Sequence, residues 1–420
     1  MLRGIYIFAL ISLNLVTTAQ AQLPDFIKRL DEGSVQAASF YGKTKFELID
    51  NRIIVFSAIN GHTYRFLIDT HSPCLLYDYV LEDLRLDILD KSPTMGESFL
   101  TSFLKPIFPK IDTFSIGNVS FFGIGAMLMK SDSTNPLNDM GIDGVIGSNL
   151  MKNCIWQFDF SDSTLVLSDE ILNFKNIDGA YQIKFHPTPV QASPIITTII
   201  GSDSILTEFD TGNNGFINAL SPTISNKISS GKTVALSMKL DITVDRKDAD
   251  GIETHYYVLL DSMQMGEQMF YTLPIVAYNP SYGQTMGKGS VGVGFLKHFV
   301  STIDWNDKVI YLMPAKLDKP LPHNKDTFGF TYGFKKGSFQ VQSILSGSTA
   351  ETLGLEIGDK ILSINGYDVS QLTICKIDEY KNGKLIFSSE NDKEITILVM
   401  NRGVKKEFKL NSYKLFQLDK

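Results

Sequence analysis

The chain has 420 residues, room for two or three domains, and its 43% hydrophobic and 20% charged residues describe a core-forming protein and exclude a disordered one. A formal net charge of -7 and a pI near 5.5, with no long basic run, argue against nucleic acid or an anionic membrane surface as the main partner. Peptides and small molecules remain.

The N-terminus carries Arg3, an apolar run from Ile5 to Val16, and then Ala19-Gln20-Ala21. These are the three regions of a secretory signal peptide, with cleavage expected after Ala21. The run is too short to span a membrane, so an exported chain, periplasmic or secreted, with no membrane span is expected. The histidines at 62, 71, 186, 255, 298 and 323 have no metal-ligand spacing, and Cys74, Cys154 and Cys375 match no zinc or redox motif. No metal and no cofactor are therefore expected. A Cys74 to Cys154 disulfide and buried free thiols both fit the spacing.

From Phe46 to Asp69 two β-rich runs meet at Asn60-Gly61, the strongest short hairpin signal, and the second run delivers Asp69. Ile111 to Gly117 reads as a strand. Asp143-Gly144-Val145-Ile146-Gly147 reads as a strand ending at a glycine before a short helix, and Phe158 to Leu167 as a hairpin turning at Ser161 to Ser163. Further on, Leu206 to Ile217 drives a strand into Asp210-Thr211-Gly212. A second hairpin is expected from Thr233 to Val244 and Ile252 to Leu260, around Asp248 to Gly251.

The features of the first part recur in the same order in the second. Asp210 lies 141 positions after Asp69 (210 minus 69), and Leu260 to Gly266 matches Ile111 to Gly117 at an offset of 149 (266 minus 117). Gly289 to Gly292 matches Gly144 to Gly147, and Ile303 to Asp307 matches Phe158 to Asp162, both at 145 (292 minus 147; 307 minus 162). One β-rich unit is written twice. Residues 315–326, polar and proline-containing, then read as a linker. The remainder centres on Gly347 to Val369: a short helix around Ala350 to Leu353, a tight turn at Glu356 to Asp359, a strand at Lys360 to Ile364 and a turn at Asn365-Gly366.

Two carboxylates held close together cannot both ionise cheaply, so they share a proton, and the pair can activate a water molecule against an amide carbonyl. Two similar units that each supply an Asp-Thr meet that requirement. Because such a pair titrates together, neither aspartate receives a fixed role from sequence.

Residues 46–313 resemble a two-lobed aspartic peptidase of the pepsin and retropepsin superfamily, in particular bacterial exported proteins that join such a unit to a PDZ domain. Phe-Leu-Ile-Asp-Thr at 66–70, Phe-Asp-Thr-Gly at 209–212, and the apolar-Gly runs Val145-Ile146-Gly147 and Val291-Gly292 carry the resemblance. It implies Asp69 and Asp210 as the catalytic pair, with Thr70 and Thr211 bonding between the loops and Gly212 in the second loop. It also implies β-hairpin flaps over substrate; the candidate in the first lobe is Ser92 to Pro109, with Phe99 and Phe103 facing substrate or filling core. His71 stands where the family has glycine and Asn213 where it has Ser, Thr or Ala. Either His71 tunes the pair, or the chain is a pseudo-peptidase that binds or scaffolds peptides without cleaving them.

The last unit resembles a PDZ domain through Gly354 to Val369, which implies peptide or C-terminus recognition at a Φ-Gly-Φ loop, matched by Phe328-Gly329-Phe330. The expected fold is mostly β: a leader at 1–21, two similar β-barrel-like lobes at 22–180 and 181–314 with an active-site cleft between them, the linker, and the PDZ domain at 327–415. The expected partners are a peptide or protein substrate and a C-terminal peptide.

Overall fold

In the computed structural model of the chain, residues 30–36, 39–91, 104–105, 107–131, 137, 140–189, 191–231, 235–241, 252–277, 288–315, 321, 326–335, 337–370 and 392–416 are described. The leader, Phe99, Phe103, the Asp248 to Gly251 turn, Cys375 and most of the linker lie outside them. The described residues are mostly β-strand, and no helix among them is long and apolar enough to cross a membrane.

The first half runs β1 (Tyr41–Lys45), β2 (Arg52–Ile59), β3 (His62–Asp69), β4 (Leu75–Tyr77), β5 (Ile107–Ile116), β6 (Val119–Gly125), β7 (Gly144–Gly147), α1 (Ser148–Met151), β8 (Ile155–Asp159) and β9 (Thr164–Ser168). Strands β2 and β3 form the hairpin expected at Asn60-Gly61. Both turn residues have positive φ, 48° and 87°, the conformation this dipeptide adopts most readily. Cys74 and Cys154 are buried free thiols.

The second half repeats the run after β10 (Tyr181–Pro187): β11 (Pro194–Ile200), β12 (Asp203–Phe209), β13 (Ile217–Leu220), β14 (Ala235–Asp241), β15 (Ile252–Met265), β16 (Gln268–Ala277), β17 (Lys288–Val291), α2 (Val293–Leu296), β18 (Phe299–Asp304) and β19 (Val309–Pro314). The sequence offsets have direct structural counterparts. Gly117 and Gly266 are the positive-φ residues that turn the β5–β6 and β15–β16 hairpins, at 57° and 60°. Strand β7 lies parallel beside β3 with Gly147 level with Asp69, and β17 lies parallel beside β12 with Val291 level with Phe209.

The two halves are joined by one antiparallel sheet, in the order β1-β9-β8-β18-β19-β10. In it Trp156 faces Ile303 and Phe158 faces Ser301, so the repeated hairpins pair with each other. A continuous apolar core runs from Ile53 and Phe66 through Trp156 to Phe209 and Phe295. Burial on this scale fixes the two aspartate loops relative to one another, since a packed interior yields little to small displacements.

The C-terminal unit contains β20 (Phe330–Lys335), β21 (Ser338–Leu345), α3 (Thr349–Thr352), β22 (Lys360–Ile364), β23 (Glu394–Asn401) and β24 (Val404–Asn411). Ser348 caps α3 by accepting the Glu351 N–H at 3.1 Å, and Asn365-Gly366 turns with both φ positive, as the sequence suggests. It has its own core of Phe328, Phe339, Val341, Ile361, Ile397 and Leu410 among others.

This unit is docked, which the sequence did not signal. Strand β21 pairs antiparallel with β14 of the second half, Met238 opposite Leu345 and Leu240 opposite Ser343. The Ser346 N–H donates to the Ser237 carbonyl at 2.9 Å, and Leu415 and Phe416 pack with Met238 and Tyr257. Phe416→Ala should therefore weaken this joint by about 3 kcal/mol or more, a typical loss for a buried ring. Limited proteolysis should then release the C-terminal unit faster than from wild type. An unchanged cleavage rate would contradict the docking.

Candidate active site

Asp69 and Asp210 come together although each belongs to a different half. Asp69 ends β3, and its Oδ1 accepts the His71 N–H at 2.8 Å. Asp210 directly follows β12, and its Oδ1 accepts the N–H groups of Gly212 at 2.9 Å and Asn213 at 3.1 Å. A Cβ on Gly212, two residues after Asp210, would collide with the Asp69 carboxyl, and the charge of Asp69 acts on Asp210. Both are buried, at 4% and 3% exposure, which is what forces them to share a proton.

The loops are bound crosswise through their threonines. The Thr70 N–H donates to Thr211 Oγ1 and the Thr211 N–H donates to Thr70 Oγ1, each at 3.0 Å. The hydroxyls then donate onward, Thr70 to the Phe209 carbonyl at 2.5 Å and Thr211 to the Ile68 carbonyl at 3.1 Å. Both hydroxyls and both N–H groups of this knot have partners, so the buried threonine side chains tie the backbone of one loop to that of the other.

The apolar-Gly strands lie under the loops. Ser148, after Gly147, donates its N–H to the Ser72 carbonyl at 2.9 Å and its hydroxyl to the Thr70 carbonyl at 2.5 Å. In the second half the Val293 N–H donates to the Asn213 carbonyl at 2.8 Å, and the Gly292 N–H to the Phe216 carbonyl at 2.9 Å. A Cβ on Gly147 would collide with backbone of Ser72 and Pro73, and one on Gly292 with backbone of Asn213 and Gly215. Glycine is needed here for close approach, not for an unusual φ, since φ is -103° at Gly147 and -101° at Gly292.

Gly212 has no room for a side chain, because its Cβ would meet the Asp69 carboxyl. His71, at the corresponding position of the first loop, does carry one. Its ring is buried, and Nε2 lies 3.3 Å from Glu208 Oε1. Its backbone carbonyl accepts Gln191 Nε2 at 2.6 Å. Asn213 donates its side-chain amide to Ser290 Oγ at 2.9 Å and accepts the Gly215 N–H at 2.8 Å.

Burial pushes the Asp69 carboxyl above the ordinary range, while the His71 N–H and the His71 ring pull it back down. Asp210 stands well above that range, again first through burial, and then through the negative charges of Asp69 and Glu208. Glu208 raises Asp69 as well, so both carboxyls are held above the ordinary range. Cys74, a near neighbour, has its thiol pushed up to about 12 by burial, so it is not a nucleophile near neutral pH.

Glu208, Ser148, Gln191 and Ser290 carry weight here that the sequence did not assign. For Glu208 a signal existed: a carboxylate two positions before an aspartate on a strand shares that strand's face.

In the C-terminal unit, Phe328 and Phe330 point into the core, at 3% and 8% exposure. Gly329 between them has φ 83°, and a Cβ there would collide with Ser348. Its N–H donates to Thr327 Oγ1 at 3.0 Å and its carbonyl accepts the Leu345 N–H at 2.8 Å. A peptide carboxylate using this loop must displace the Thr327 hydroxyl from that N–H. Strand β20, which follows, pairs on one edge with β21.

The PDZ domain family matches residues 319–383. The chain thus carries a C-terminal PDZ domain, a module of peptide recognition, whose later strands β23 and β24 extend past the matched stretch. No curated protein matches the chain.

Proposed function

We propose that residues 46–313 form an aspartic endopeptidase and that the PDZ domain binds peptide segments or C-termini of its substrates. The observation that carries this reading is the meeting of Asp69 and Asp210, one from each repeat, held by reciprocal threonine bonds. A buried carboxyl pair that shares one proton is a ready acid and base. The ionised carboxylate takes a proton from water as the water oxygen bonds to the amide carbon, and the protonated one gives its proton to the carbonyl oxygen. Collapse of the tetrahedral intermediate breaks the C–N bond, with the proton delivered to the leaving nitrogen. No covalent enzyme intermediate forms. A cleft between the halves, closed by hairpins such as β14–β15, would hold an extended peptide.

The signal-peptide pattern before Gln22 supports export, to a periplasm or outside the cell. Full-length protein should hydrolyse unstructured peptides in a range from acidic to neutral pH and be blocked by a statine-type inhibitor. Hydrolysis insensitive to statine would assign another chemistry.

A second reading, a peptide-binding pseudo-peptidase, is favoured by His71, which stands in the first loop where the second has Gly212. It predicts that the same peptides bind without turnover at any pH.

A further inference from the structure

The inference drawn here rests on the carboxyl pair described above and concerns the two charged neighbours that flank it. His71 is fixed on three sides: its N–H on Asp69 (2.8 Å), its carbonyl on Gln191 (2.6 Å) and its ring Nε2 beside Glu208 (3.3 Å). The ring is 3% exposed and the Glu208 side chain 13%, so water screens neither. Glu208 sits in β12 between Ile195 of β11 and Ser290 of β17, both uncharged. The His71 ring acts on Asp69, and the Glu208 carboxylate acts on both Asp69 and Asp210.

We propose that the buried His71–Glu208 pair is a positioning device that makes Asp69 the ionised, water-activating carboxylate and Asp210 the protonated partner. The threonine knot is symmetric and cannot by itself choose between them. The flanking charges break that symmetry. An imidazolium next to Asp69 favours its ionised form, and the Glu208 carboxylate disfavours negative charge on either aspartate, so a pair that holds its one charge at Asp69 keeps its proton at Asp210. Gly212, the counterpart of His71, brings no charge to the other loop. The Glu208 carboxylate also gives the buried imidazolium its counter-ion, and unpaired burial of that ring would be costly.

The sign of each effect on activity follows. Turnover requires one proton on the pair, so the acid limb of the pH profile reports loss of the ionised carboxylate and the alkaline limb reports loss of the last proton. His71 extends the window downward and Glu208 extends it upward.

Full-length wild type, His71→Gln and Glu208→Gln should be compared in peptide hydrolysis across pH. His71→Gln should move the acid limb up, and Glu208→Gln the alkaline limb down, each by about one pH unit, the scale of a nearby buried charge. Rates that fall equally at every pH, with both limbs in place, would give the pair a merely structural role and overturn the proposal. A readout independent of turnover is carboxyl 13C NMR, which should find Asp69 ionised and Asp210 protonated in wild type across the pH range in which the pair holds one proton. That assignment should blur in His71→Gln. If it is identical in the variant, the proposal fails. If it holds in a wild type that cleaves nothing, the peptidase reading fails and the positioning role stands. Should Glu208→Gln not fold, Glu208→Asp keeps the charge at a greater distance and should shift the same limb less.

Discussion

Asp210→Asn is expected to abolish peptide hydrolysis, a loss of about 1,000-fold or more, within the range general acid–base groups contribute. The substitution keeps the side chain's size and its acceptor oxygen for the Gly212 and Asn213 N–H groups, so the loop should hold. It removes the proton that Asp69 and Asp210 must share. Stability should move the other way. Burial and the charges of Asp69 and Glu208 hold Asp210 well above the ordinary carboxylate range. A carboxyl raised in the folded state contributes its full stability below its unfolded value and loses it as pH rises through the folded value. Asparagine cannot ionise, so the thermal midpoint of Asp210→Asn should gain on wild type as pH rises above the ordinary carboxylate range. A variant that is inactive because it is unfolded would show the reverse, and residual activity near the wild-type level would remove Asp210 from the chemistry.

The second large effect belongs to a residue that touches neither carboxyl. Gly147→Ala places a methyl against the backbone of Ser72 and Pro73, atoms that cannot rotate away. Overpacking of this kind costs about 1–3 kcal/mol, and it acts here on the loop that carries Asp69, Thr70 and His71. Relief requires that loop to rise, which lengthens the Ser148 bonds to Ser72 and Thr70 and disturbs the threonine knot. Urea unfolding should give a lower midpoint, and hydrolysis should fall further than the stability loss explains. Gly292→Ala should do the same from the other half, because its Cβ would meet the backbone of Asn213 and Gly215. A folded, fully active Gly147→Ala would mean that the strand beneath the loop does not position it.

Much of this arrangement is legible in the chain because local chemistry and internal repetition agree. Asn60-Gly61 announces its hairpin through the φ values only such a pair adopts easily, and Asn365-Gly366 announces its turn in the same way. The near-constant offset between the repeats marks Gly117 with Gly266 and Gly147 with Gly292, and the structure gives each pair the same task. What stays hidden depends on contacts between distant segments. Glu208 reads as an ordinary strand residue until the fold sets it against His71, 137 positions away (208 minus 71). Gln191, in the connection between β10 and β11, carries no motif, yet it holds the His71 carbonyl. The docking of the PDZ domain on β14 joins segments far apart in sequence, through a backbone ladder and an apolar cluster of Met238, Tyr257, Leu345, Leu415 and Phe416 that no local motif marks. Phe328-Gly329-Phe330 was visible as a Φ-Gly-Φ run, but the engagement of its central N–H by Thr327 was not.

The PDZ domain gives the chain a means to hold a peptide, and its ladder to β14 places that recognition on the same sheet as the β14–β15 hairpin. What separates an enzyme from a binding protein lies at the carboxyl pair. The most direct test is a crystal structure of the full chain with a statine-type peptide, whose hydroxyl mimics the attacking water. The hydroxyl should lie between the carboxyl groups of Asp69 and Asp210, within hydrogen-bond distance of both. A peptide bound with that hydroxyl away from the pair, or only at the PDZ domain, would contradict the account.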